Sequence, residues 1–132
     1  MVSAGRCHTI LLQSDGSAVA CGTNTFGQCS IPPLSEGLTY TQASAGRAHT
    51  ALLRSDGQVV LCGSNSHGQC NVPPLKEGIS YIQVSAGEHH TVLLRSDGSA
   101  VVRGDNSFGQ CNIPASKEGN SYVQVSAGPD YT

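Results

Sequence analysis

Gly46-Arg47-Ala48-His49-Thr50-Ala51-Leu52-Leu53-Arg54-Ser55-Asp56-Gly57-Gln58-Val59-Val60-Leu61-Cys62-Gly63 decides the fold of this chain. Two largely apolar runs flank Ser55-Asp56-Gly57, where Asp bonds its own backbone and Gly accepts positive φ. The runs therefore return on one another as an antiparallel hairpin, with strands expected over 49–54 and 58–62. Upstream, Tyr40-Thr41-Gln42-Ala43-Ser44-Ala45 alternates in size and polarity as a strand does, and Gly46 ends it. Downstream, Asn65, Gly68, Asn71 and Pro73-Pro74 crowd turn formers together and predict a long loop carrying one short, weak edge strand.

The same pattern occurs three times. Ser3-Ala4-Gly5 recurs as Ser44-Ala45-Gly46, Ser85-Ala86-Gly87 and Ser126-Ala127-Gly128, each step being 41 residues. That step also carries Asp15-Gly16 to Asp56-Gly57 and Asp97-Gly98, and Gly27-Gln28-Cys29 to Gly68-Gln69-Cys70 and Gly109-Gln110-Cys111, without insertion or deletion. About 40 residues per four-stranded unit is the spacing of a β-propeller, whereas solenoids of similar period need helix pairs. The expectation is an all-β chain of three four-stranded blades over 1–38, 39–79 and 80–120, with 121–132 as an extra closing strand. Three blades are too few to close a ring, so the chain reads as a partial propeller, or as half of a six-bladed ring made by two copies.

Composition agrees and excludes several functions. Gly makes up 16 of 132 residues and charged residues 12%, against usual values of about 7% and about 25%. The net charge is −2 and the arginines are dispersed, so no nucleic-acid footprint is present. No apolar run approaches the roughly 20 residues that span a bilayer, and no leader-like start is visible. These features predict an intracellular protein, cytoplasmic or nuclear.

The string Gly-X-X-His-Thr-X-X-Leu, then Ser-Asp-Gly, then Gly-X-Asn-X-X-Gly-Gln, resembles the repeat of the regulator of chromosome condensation family. It stands here as Gly46 to Leu53, Ser55 to Gly57 and Gly63 to Gln69. Cys29, Cys70 and Cys111 follow Gly-Gln where that family usually has Leu, a variant similar to propeller segments of HERC-type ubiquitin ligases. The resemblance implies a propeller that presents binding loops on its faces. It also permits guanine-nucleotide exchange on a small GTPase, but the unvarying step leaves no insertion to serve as the protruding wedge of an exchange factor.

Residues with reactive side chains read as structural. His8, His49 and His90 recur once per blade, and a triplicated catalytic base has no use; each is expected to bond a nearby backbone group and fix its blade. Asp15, Asp56 and Asp97 sit between Ser and Gly, where turn chemistry suffices. Cys29, Cys70 and Cys111 lie at equivalent points of successive blades, too far apart for disulfides. No Cys-X-X-Cys suggests zinc. They are expected to be buried, reduced thiols, with Cys7 exposed. No catalytic residue, cofactor or metal is expected.

Shared positions are explained by packing, so a protein partner should meet the positions at which the copies differ. These are Arg6, Arg47, Glu88 and His89, with Pro129-Asp130 in the fourth copy, and Phe26, His67 and Phe108 in the loop after the third strand. The expected function is a non-catalytic protein-binding segment of a larger ubiquitin-pathway or regulatory protein, the alternative being nucleotide exchange. No nucleic acid or membrane is expected as a partner, but a second copy of the chain is.

Overall fold

Each hairpin closes where Asp and Gly stand together. Asp56 Oδ1 accepts the Gln58 amide at 3.2 Å and Gly57 adopts φ 81°. A Cβ at Gly57 would also stand 2.5 Å from that of Ser80, so glycine is required by both the turn and the next repeat. From such hairpins the computed structural model, which describes residues 2–114 and 120–128, builds only strands and loops. The strands are β1 Val2–Ala4, β2 His8–Leu12, β3 Ala18–Gly22, β4 Tyr40–Ala45, β5 His49–Arg54, β6 Val59–Gly63, β7 Tyr81–Ala86, β8 His90–Arg95 and β9 Ala100–Gly104.

They form three antiparallel sheets in the orders β1-β2-β3, β4-β5-β6 and β7-β8-β9. The sheets are blade-like and the arrangement is open. In the second sheet Ala45 faces Thr50 and Leu53 faces Val59, with a register shift between Tyr40 and Gln42.

Each sheet has three strands rather than the expected four. In the segment that was to supply the fourth, Asn24 Oδ1 accepts the Cys29 amide at 2.8 Å and curls the chain into a turn. Pro32 and Pro33 then have no amide to give a ladder, and the Pro32 carbonyl is taken at 2.7 Å by the Tyr40 hydroxyl. Of the closing strand expected over 121–132, residues 121–128 form no strand; residues 129–132 lie outside the described residues. The segment 121–128 rests on the third sheet through the Tyr122 amide on the Gly98 carbonyl at 2.9 Å and the Val125 amide on Gln83 Oε1 at 2.9 Å.

The cores lie between sheets. Ile10 from the first sheet packs with Tyr40, Ala43, Ala45 and Leu52 from the second. Ala51 and Leu53 on the opposite face of the second sheet pack with Tyr81, Val84, Leu93 and Val101 of the third. A sheet covered on both sides reads as a continuous apolar run, as β5 does. The first strands β1, β4 and β7 stand side by side, joined by side chains rather than by a backbone ladder. The Ala45 amide donates to Ser3 Oγ and the Ala86 amide to Ser44 Oγ, both at 2.9 Å.

Candidate functional site

The strand order puts every Ser-Ala-Gly turn and every loop after a third strand at the same end of the sheets. His8 pairs with Gly22, and the Thr23 amide reaches the Cys7 carbonyl at 2.8 Å, so the loop bearing Arg6 and the loop bearing Phe26 emerge together. The same bonds recur from Ser64 to Ala48 at 2.8 Å and from Asp105 to His89 at 2.9 Å. Arg6, Arg47, Glu88, His89, Phe26, His67 and Phe108 therefore share one end of the molecule. Pro129-Asp130 lie outside the described residues.

Five of these side chains form a connected group. Glu88 Oε1 accepts from Nη1 of Arg6 at 3.3 Å and from Nη1 of Arg47 at 3.0 Å. Arg47 Nη1 also donates to His89 Nε2 at 3.3 Å, and because a guanidinium only donates, that nitrogen is an acceptor. His89 in turn lies against His67 with ring centroids 4.5 Å apart. Phe26 and Phe108 are exposed on turns held by Gln28 and Gln110, whose side-chain oxygens accept their amides at 2.9 Å. Asp105 belongs to the same end: the Ser107 hydroxyl and amide hold its carboxyl below the usual range, with smaller help from His67 and His89. Between the ends of β1, β4 and β7 runs an open groove of about 420 Å³, walled by Ala-Gly pairs and edged by Arg6, Arg47 and Glu88.

Beneath this surface the histidines join neighbouring sheets. His8 Nε2 meets Thr50 Oγ1, and His49 Nε2 meets Thr91 Oγ1, each at 2.9 Å. Thr50 gives its own hydroxyl proton to the Gln28 carbonyl at 2.7 Å, and Thr91 to that of Gln69 at 2.8 Å. Nε2 must therefore carry the ring proton in both histidines. The partner is the next sheet's hydroxyl, not the nearby backbone group expected from sequence, so the ring ties two blades rather than fixing one. Backbone of the following histidine opposes the effect of burial on each ring, and among the described residues no group meets Nδ1 of His8 or His49 at hydrogen-bonding geometry. Burial lowers the pKa of His8, and it lowers that of His49 to about 4 with help from the charges of His8, His90 and His89. His90 is buried at the same place in the third sheet.

Two carriers of this arrangement escaped the sequence reading: Thr50 and Thr91 as relays, and the buried Gln28 and Gln69 as the carbonyls they reach. The signal was present, because the dipeptides His-Thr and Gly-Gln keep the same step as the turns.

The opposite end is built by the hairpins. Asp15 and Asp97 accept from the amides of Ser17 and Ser99 at 2.9 and 3.0 Å, and the bonds from the serine hydroxyls, followed by these amide bonds, lower both carboxyl pKa values. Asp56 makes a two-pronged pair with Arg54 at 2.7 and 3.1 Å, which lowers its pKa. A second groove of about 430 Å³ lies there between the second and third sheets.

A match to the regulator of chromosome condensation (RCC1) repeat extends over residues 2–28, 40–69 and 81–110, more than half of the chain. The chain belongs to the RCC1 repeat family. Solved structures agree on the fold. Prp20p from Saccharomyces cerevisiae, described with its binding to Gsp1p and histones, superposes with TM-score 0.72 at 23% identity over 86% of this chain and 32% of its own. Human WBSCR16 gives 0.74 at 21% over 95% and 38%. The CRINKLY ectodomain of the Arabidopsis thaliana receptor kinase ACR4 gives 0.65 at 23% over 80% and 42%. This RCC1-repeat chain thus spans about a third of the length of the first of these. No curated protein sequence matches it.

Within the RCC1 repeat the position after Gly-Gln is a cysteine in all three copies. Among the described residues no disulfide joins the six cysteines. Cys7 is exposed, as expected, but the others are less enclosed than expected: Cys21 is exposed, and Cys29, Cys62, Cys70 and Cys111 are half-buried. Cys29 and Cys70 bond the Thr23 and Ser64 carbonyls at 3.3 Å, so they close the loop rather than fill a core, and burial pushes the Cys70 thiol up to about 11. Among the described residues no group of three His, Cys, Asp or Glu is placed to hold a metal ion, and no helix is long and apolar enough to cross a membrane.

Proposed function

We propose that this RCC1-repeat chain is a non-catalytic protein-binding segment of a propeller, and that its partner docks on the end bearing the Ser-Ala-Gly turns. One observation carries the reading: Arg6, Arg47, Glu88, His89, Phe26, His67 and Phe108, at which the repeats differ, lie at that end, while His8, His49, His90, Thr50, Thr91, Gln28 and Gln69 are enclosed beneath it. A rigid β scaffold with variable loops is the usual architecture of a recognition surface. The segment serves substrate or adaptor recognition in a larger ubiquitin-pathway or regulatory protein. It works inside the cell, consistent with six cysteines that form no disulfide among the described residues.

A photo-crosslinking residue placed at position 67 should capture a discrete partner in cells, and the same residue at position 56, at the opposite end, should not. Capture from position 56 alone would refute the docking face. Guanine-nucleotide exchange ranks second, and accelerated release of fluorescent GDP from a small GTPase would place it first.

Self-association is the other part of the proposal. Val2 and Val19 are exposed on the face of the first sheet whose equivalents are enclosed in the third. A second copy closing a six-bladed ring, or further blades of a longer polypeptide, would cover it. Native mass spectrometry separates these: a dimer supports ring closure by two chains, and a monomer removes it.

A further inference from the structure

The groove between the ends of β1, β4 and β7 is empty of side chains for a steric reason. A Cβ at Gly46 would stand 2.4 Å from Cε1 of His49 and 2.5 Å from the Gly87 carbonyl oxygen, so the histidine ties below demand glycine and leave a floor of backbone. Among the described residues, the side chains that project over it are those that follow Gly5, Gly46 and Gly87: Arg6, Arg47 and Glu88. Their exposure is unequal. The Glu88 side chain is 17% exposed, Arg6 61% and Arg47 42%, so the Glu88 carboxylate is largely consumed by its two partners while the guanidiniums face outward. Each arginine uses only Nη1. Among the described residues, Nε and Nη2 of both donate to nothing, and Arg6, Arg47 and Glu88 together carry one net positive charge.

We infer that this groove takes a carboxylate of an acidic segment of the partner protein, gripped by Arg6 and Arg47. The inference rests on the protein-binding reading and names the partner's chemistry. A guanidinium offers a planar fork that a carboxylate fills with two parallel bonds. Two arginines beside one glutamate match a single carboxylate, not the repeated phosphates of a nucleic acid, which require a basic stripe. The carboxylate comes from an Asp or Glu side chain or from a chain terminus.

The test is fluorescence anisotropy on the full chain with fluorescein-labelled hexaglutamate bearing an amidated C-terminus. Hexaglutamine with an amidated terminus and hexaglutamine with a free one are the comparison probes. Hexaglutamate should bind at least tenfold more tightly than amidated hexaglutamine, and the free-terminus peptide shows whether one terminal carboxylate suffices. Arg6→Gln and Arg47→Gln should each weaken hexaglutamate binding several-fold. Glu88→Gln should tighten it, because the competing carboxylate is gone; loss of a merely structural triad would weaken it instead. Unchanged thermal melting of the three variants excludes misfolding. Equal affinity for amidated hexaglutamine and hexaglutamate, or weakening by Glu88→Gln to the level of Arg47→Gln, overturns the inference. If that happens while position 67 still captures a partner, the docking face stands and only its preference for carboxylate falls.

Discussion

Leu11, Leu52 and Leu93 occupy the same place in the three sheets, yet Leu52 and Leu93 are fully enclosed and Leu11 is only half-buried. Val19 is 43% exposed where Val101 is 5%. Thr9 is half-buried where Thr50 and Thr91 are wholly buried. The residue types barely change along these rows, so the difference comes from the neighbour: the first sheet covers one face of the second, and the second covers one face of the third. Burial here belongs to a pair of sheets. A blade is therefore stabilised mainly through its contacts with adjacent blades, as in other stacked-repeat proteins.

The largest expected contrast is at the leucines. Leu52→Ala opens a cavity between the first and second sheets and should cost about 3–5 kcal/mol. Leu11→Ala removes a side chain already half in water and should cost about 1 kcal/mol, chiefly the transfer of the atoms lost. Urea unfolding of the two variants measures the contrast. Equal losses would break it, and would show that the outer face of the first sheet is covered in solution by another copy.

Next in size is the pH dependence at the same junctions. His49 titrates near 4 in the fold because burial opposes its charge, against about 6.5 in an unfolded chain. The unfolded state then binds the proton more readily, so stability is complete above pH 6.5 and falls as pH drops toward 4. At about 1.4 kcal/mol per unit the loss over that window is on the order of 3 kcal/mol. His8 is lowered too, by burial, and adds to the same trend. The hairpin aspartates have lowered values, so their contribution persists through this window and disappears only below the ordinary carboxylate range. Urea midpoints at pH 7.5, 5.5 and 4.5 should fall steadily, and His49→Gln should flatten the curve. An unchanged slope in that variant would show that other groups carry the acid sensitivity.

The strands were legible because their signals are local. Tyr40–Ala45 and His49–Arg54 begin and end where alternation and the flanking glycines place them, and the third strand runs one residue later than expected, Val59–Gly63. The weak fourth strand was misread because turn formers were credited with an edge strand, although Asn24 and the tyrosine hydroxyl satisfy that backbone from side chains. The histidine partner was misread for a different reason: Thr50 lies 42 residues from His8, and nothing within one repeat says which hydroxyl crosses to it. The seven variable positions were found by comparing copies. That Glu88 joins Arg6 to Arg47 depends on how closely successive sheets approach, which the period alone does not give.

The smallest contrast tests the tie itself. Thr50→Val keeps the shape of the side chain but leaves the Nε2 proton of His8 and the Gln28 carbonyl without their shared hydroxyl, at a cost of about 1–3 kcal/mol. Thr9 sits at the equivalent place in the first sheet, where no preceding sheet presents a histidine, and makes no hydrogen bond through its hydroxyl among the described residues. Thr9→Val should therefore change stability by no more than about 0.5 kcal/mol. Thermal unfolding of the two valine variants at one protein concentration measures the difference. If Thr9→Val proves as costly as Thr50→Val, a histidine from another blade must reach Thr9 in solution. The concentration dependence of that cost then tells its source: a cost that disappears on dilution means that a second copy provides the blade.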